Sequence, residues 1–103
     1  MLEKPHFLAR ILTAEEIAYV RSRGAMAADT LAGLYAAKEA VLKALGCGIA
    51  FPMTDVVISH TPQGQPQVSL RNEIAKRYAG WFLLTIAHDA GVAAATAIYM
   101  EGK

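Results

Sequence analysis

Three side chains within one short stretch could act on a phosphate ester: Lys38, Glu39 and Lys43. On a helix, Glu39 and Lys43 stand at i and i+4 and share a face. Two readings compete for them. The commoner is a solvated ion pair contributing about 0.2–0.5 kcal/mol. The other is an oxyanion site, with Glu39 holding a divalent cation and Lys43 facing a phosphate as a point charge. A single carboxylate is a poor magnesium ligand set unless water and substrate phosphate complete the shell. His88 ends the apolar run Thr85-Ile86-Ala87 just before a turn. Alone, it reads first as a strand-end residue bonded to backbone, and second as an anion-binding or catalytic imidazole. His60 sits similarly after Ile58-Ser59 with less to recommend it, and His6 falls in an N-terminal stretch expected to be mobile. Cys47, between Gly46 and Gly48, reads as a small residue in a tight loop rather than a nucleophile, since nothing nearby would activate a thiol. Gly46-Cys47-Gly48 follows a helix, whereas a dinucleotide fingerprint must follow a strand. Neither zinc spacing nor a Walker loop occurs.

The elements that must position these groups are legible from local signals. Thr13-Ala14-Glu15-Glu16 is a capping box, with Leu12 and Ile17 at the spacing of a hydrophobic staple. It predicts a helix from about Ala14 to Arg23, stopped at Gly24. Asp29 or Thr30 is the expected cap of a longer helix. There Leu31, Leu34, Tyr35, Lys38, Val41, Leu42 and Leu45 recur at steps of three and four, and Gly46 supplies a left-handed stop. Residues 47–52 read as a loop. Residues 55–60 are β-branched and 67–70 alternate, with turn chemistry between them, so a hairpin is expected. A short helix over 71–78 follows, ended by Gly80. Strands over 81–88 and 92–100 flank the turn at 89–91. The expected class is α+β, an antiparallel sheet packed on one long helix.

Size and composition bound the rest. A chain of 103 residues with 54% apolar and 18% charged residues is one globular domain, 1–103, and not a disordered tail. A net charge of +1 gives little support for a nucleic-acid-binding face. A lone cysteine precludes an internal disulfide. No apolar run reaches the length of a membrane span or a signal peptide, so a cytoplasmic domain without membrane attachment is expected. Alanine supplies much of the apolar count, and a core of such modest volume invites oligomerisation.

The stretch 31–49, LAGLYAAKEAVLKALGCGI, resembles the signature helix of the holo-acyl-carrier-protein synthases, in the 4′-phosphopantetheinyl transferase superfamily. Other segments agree in order: RILTAEE from Arg10, DVVI from Asp55, the G-x-P turn Gly64-Gln65-Pro66, and Thr85-Ile86-Ala87-His88 where the family usually has S-I-[ST]-H. The similarity runs from about residue 7 to 101. It implies magnesium-dependent transfer of 4′-phosphopantetheine from coenzyme A to a serine of an acyl carrier protein. Carried over by position, Glu39 is the metal ligand, Lys43 binds the pyrophosphate, His88 meets the nucleotide, Gly64 and Pro66 line the adenine region, and Lys38 is a further phosphate contact. Arg10, Arg21 and Arg23 would meet the acidic carrier protein. The resemblance also implies a homotrimer with active sites at subunit boundaries. Two departures stand out. The family's opening strand, G-[IV]-G-x-D-[IL], whose aspartate is a second magnesium ligand, has no counterpart ahead of Arg10, and Asp29 and Asp55 lie in other segments. Leu34 stands where the family frequently has arginine. The sequence therefore leaves two readings: an active transferase, or a non-catalytic relative that binds coenzyme A or a carrier protein without transfer.

Overall fold

The capping box forms as its residues dictate. In a computed structural model, which describes residues 5–46, 50–89 and 91–101, the Thr13 N–H donates to Glu16 Oε1 at 2.8 Å and the Glu16 N–H donates to Thr13 Oγ1 at 3.2 Å. Helix α2 runs Ala14–Ser22 from that cap. A helix precedes it that local signals did not predict: α1, Pro5–Ile11. His6 is exposed on it, so the expectation of a mobile stretch there is corrected. The reason is tertiary. Leu8, Ile11 and Leu12 are buried in the core, and that burial stabilises a helix of only seven residues, too short to persist alone.

The long helix, α3, spans Ala27–Leu45, starting ahead of the cap expected at Asp29 or Thr30. A 3₁₀ turn over Gly24–Met26 leads straight into it, so Asp29 lies in its first turn, where the helix dipole favours a carboxylate, and is not its cap. Gly46 ends the helix at φ 74°, the left-handed stop its composition suggests. Cys47, Gly48 and Ile49 lie outside the described residues, and the reading of Cys47 with them.

The strands pair as two hairpins. β1 (Val56–His60) and β2 (Pro66–Leu70) pair antiparallel, from Val56 opposite Leu70 to His60 opposite Pro66. After the short helix α4 (Asn72–Arg77), β3 (Trp81–Asp89) and β4 (Val92–Met100) pair antiparallel, from Trp81 opposite Met100 to Asp89 opposite Val92. The single sheet expected from sequence is therefore two two-stranded sheets among the described residues. β2 runs beside β3 without a hydrogen-bonded ladder, and a cleft of about 460 Å³ lies between them.

Helix α3 packs across the β3–β4 hairpin. Alternation decides which side chains meet it: Phe82, Leu84, Ile86, Ala95 and Ala97 turn inward against Leu34, Ala37 and Val41 in one core. The opposite face of the hairpin leaves Trp81, Leu83, Val92 and Ile98 exposed. Because α1 owes its helix to core contacts, Leu8→Ala should cost about 2–5 kcal/mol, the usual range for a buried leucine. Urea unfolding measures it; a loss under about 0.5 kcal/mol, typical of surface sites, would show that α1 is not part of the core.

Candidate functional site

Helix α3 carries candidate residues at both ends of one cylinder. Toward its N-terminal end, Gly33 faces the inner side of β3. A Cβ at residue 33 would stand 2.5 Å from His88 Nε2 and 3.0 Å from Ile86 Cγ2, so glycine is what lets the imidazole lie on the helix. Around this contact is a cavity of about 190 Å³, lined by Tyr19, Arg23, Thr30, Gly33, Leu34, His60, Gly64, Pro66, Ile86 and His88. Three of the residues singled out by sequence, Gly64, Pro66 and His88, meet here. Gly64 and Pro66 arrive on the β1–β2 turn, which is closed by hydrogen bonds from the Gly64 N–H to the Thr61 carbonyl and from the Thr61 N–H to the Gln65 carbonyl.

Sequence reasoning missed the rest of this wall. The His60 ring stacks on Tyr19 at 4.4 Å between centroids and 16° between planes. The Arg23 guanidinium lies 5.7 Å over the Tyr19 ring. Arg23, assigned from sequence to carrier-protein contact, thus also belongs to the cavity, and His60, set aside from sequence, is part of its wall. The spacing of Tyr19 and Arg23, i and i+4 with Arg23 the C-cap of α2, was the available signal for their pairing; the stack on a strand-end histidine is non-local and had none. The lining holds arginine and two imidazoles and no carboxylate. That chemistry suits an anion carried on a planar group. The volume is well under the roughly 300–1,000 Å³ of a complete small-molecule site.

Glu39 and Lys43 stand elsewhere. Ten residues separate Gly33 from Lys43, about 15 Å along the helix axis. Glu39 is half-buried and Lys43 exposed. The surface ion pair of the commoner reading is not formed: neither side chain makes an ion pair among the described residues. Also among these residues, no three His, Cys, Asp or Glu side chains cluster as a metal site built wholly of protein ligands would require. The donor set fits a single carboxylate contact to a magnesium ion whose other ligands are water and phosphate oxygens, with an ammonium one turn away.

Lys38 is corrected. Its ammonium is fully buried, donating to Glu16 Oε1 at 2.6 Å, to the Ile11 carbonyl at 2.7 Å and to the Met53 carbonyl at 3.0 Å. An ammonium has three N–H donors, all taken, so none remains for phosphate. Burial pushes its pKa down while Glu16 draws it back up. The sequence did carry the signal, since Lys38 falls inside the apolar three-four stripe of α3.

Two outcomes follow from this geometry. Gly33→Ala should displace His88 and reshape the cavity with little loss of stability, because alanine gains up to about 1 kcal/mol over glycine inside a helix. NMR of the histidine side chains checks it; an unmoved His88 resonance would contradict the contact. His60 titrates below the ordinary 6.5, chiefly through burial and secondly through the Arg23 charge. Above 6.5 both folded and unfolded forms are neutral there. As pH falls from 6.5 through the folded value, the unfolded chain takes the proton first, so stability drops. Melting between pH 7 and 5 should therefore fall more steeply for the parent than for His60→Phe; equal slopes would contradict it.

Residues 2–97 match the family model of the 4′-phosphopantetheinyl transferase superfamily. The holo-[acyl-carrier-protein] synthase of Caldicellulosiruptor saccharolyticus is 42% identical over 96 residues, covering 89% of this chain and 77% of that protein. That of Caldanaerobacter subterraneus subsp. tengcongensis is 37% identical over 109 residues, covering 100% and 85%. The crystal structure of the Helicobacter pylori holo-[acyl-carrier-protein] synthase in complex with coenzyme A superposes with a TM-score of 0.82 at 31% identity, covering 94% of this chain and 84% of that one. The Neisseria meningitidis enzyme superposes with 0.84 at 27% identity, covering 95% and 82%. The α+β fold, the signature helix carrying Glu39 and Lys43, and these likenesses agree: this chain belongs to the holo-[acyl-carrier-protein] synthase family of the 4′-phosphopantetheinyl transferase superfamily.

Proposed function

We propose that this protein transfers 4′-phosphopantetheine from coenzyme A to a serine hydroxyl of an acyl carrier protein. The serine oxygen attacks the β-phosphorus of coenzyme A, the bond to the bridging oxygen breaks, and adenosine 3′,5′-bisphosphate leaves. The serine proton passes to water oriented by Glu39. The observation that carries this reading is the face of α3: a half-buried Glu39 with an exposed Lys43 one turn on, neither in an ion pair among the described residues. Likeness to holo-[acyl-carrier-protein] synthases at 42% and 37% identity supports transfer over mere binding.

The residues divide the substrate between them. Lys43 takes the pyrophosphate as a point charge. Glu39 would hold magnesium, which supplies charge neutralisation at the pyrophosphate when bound. His88, Gly64 and Pro66, with Tyr19, Arg23 and His60 beside them, take the nucleotide. Arg10 and Arg21, exposed on α1 and α2, face the acidic carrier protein. No helix of the described residues is long and apolar enough to cross a membrane.

We further propose a homotrimer in which the α3 face of one copy and the cavity of the next make one site. Two observations support it. The cavity is too small for a whole coenzyme A and lies about 15 Å along α3 from Lys43. The outer face of the β3–β4 hairpin presents Trp81 at 53%, Leu83 at 57%, Val92 at 68% and Ile98 at 52% exposure, with Leu83 directly opposite Ile98. Such an apolar face is the kind that partners cover.

Glu39→Gln keeps shape and removes charge. It should lower transfer by roughly 10²–10³-fold, the scale for losing one electrostatic stabiliser of a transition state. It should also abolish the magnesium enhancement of coenzyme A binding while leaving metal-free binding unchanged or slightly tighter. Mass spectrometry of an apo-carrier protein and titration calorimetry measure these; full activity in Glu39→Gln would overturn the assignment. Leu83→Glu should convert the trimer to monomer in light scattering and remove transfer with it. A folded, active monomer would overturn the shared site.

A further inference from the structure

Resting on that reading of Glu39, we infer that Lys38 is a positioning residue: its buried contacts with Glu16 and two carbonyls fix the rotation of α3 that aims Glu39 at substrate. The apolar contacts of α3 are non-directional and permit small rotations. Lys38 is different. Its three donors reach the end of α1 at Ile11, the first turn of α2 at Glu16, and the turn before β1 at Met53. Glu16 in turn accepts the Thr13 N–H on Oε1 and, through Oε2, the Ile58 N–H of β1 at 2.6 Å. One lysine thus ties the middle of α3 to four other segments. Glu39 is the next residue, one helical step round the cylinder, so the azimuth of Lys38 sets that of Glu39 and of Lys43 on the same face.

Stability does not explain the pair. Replacing a buried ion pair with apolar groups of similar volume is often neutral or stabilising. What an apolar pair cannot supply is direction, and Lys38 supplies it beside the residue whose direction matters.

The test is the double variant Lys38→Met/Glu16→Gln, which removes both charges at nearly the same side-chain lengths, with Glu16→Gln alone, the harsher change because it leaves the buried ammonium uncompensated, as a companion. Coenzyme A affinity is measured with magnesium and with EDTA. A positioning role predicts metal-free affinity within about twofold of the parent, a magnesium enhancement reduced at least tenfold toward that of Glu39→Gln, and a lower kcat at unchanged KM for the carrier protein. Near-parental enhancement and kcat in the folded double variant would overturn the inference. So would a loss of metal-free affinity in proportion to lost stability, which is what a purely structural pair would give. A crystal structure of either variant reads the orientation independently of the reaction. Glu39 turned from its parental direction supports the inference, and Glu39 unmoved overturns it, even if the parent proves to have no transferase activity.

Discussion

The ion pair of Lys38 with Glu16 is the contact on which the arrangement of the molecule depends. A carboxylate and an ammonium, both within 2% of full burial and 2.6 Å apart, cannot be left half-made. Removing either partner leaves an uncompensated charge in the interior, at a cost of about 3–5 kcal/mol. Glu16 is also the N3 residue that closes the α2 capping box and the acceptor of a β1 amide. A side chain that begins as a local helix cap therefore ends as the junction of α1, α2, α3 and β1. The apolar core decides that these elements associate, and the pair decides how they are turned.

Much of this was legible in the sequence, and the line between legible and illegible follows the range of the interaction. The capping box at Thr13–Glu16, the stop at Gly46 and the hairpin strands rest on contacts a few residues apart, and each formed where local chemistry put it. Helix α1 was not legible, because its seven residues are helical only by leaning on the core. One sheet became two because whether β2 pairs with β3 is a matter between distant segments. The site divides the same way. The face of Glu39 and Lys43 follows from helix periodicity alone. The wall that brings Tyr19, His60, Gly64 and His88 together draws on α2, the β1–β2 hairpin and β3, and no spacing along the chain announces it.

Lys38 is the instructive case. Resemblance made it a phosphate contact by position, while the apolar periodicity of α3 placed it inward. Periodicity prevailed, for a physical reason: a helix cannot turn one residue out of its buried stripe without turning its neighbours. The same rule leaves Glu39 at the edge of the core and Lys43 in solvent, which is the graded exposure that a residue pair handling a charged substrate requires. In the transferase reading, the interior lysine and the surface lysine have opposite tasks, one spending all its donors on protein and the other, exposed and in no ion pair among the described residues, meeting substrate.

The division of the candidate site between the α3 face and the cavity beside Gly33 is the central claim, and mixing two damaged chains tests it most directly. Chains bearing Glu39→Gln would be co-assembled with chains bearing His88→Ala, and transfer to an apo-carrier protein measured against each variant alone. If each site takes Glu39 from one copy and His88 from the next, random co-assembly should restore about a quarter of parental sites, although each variant alone is impaired. Confirmed mixed trimers with no gain over the separate variants would contradict a shared site and place both residues in one chain's machinery.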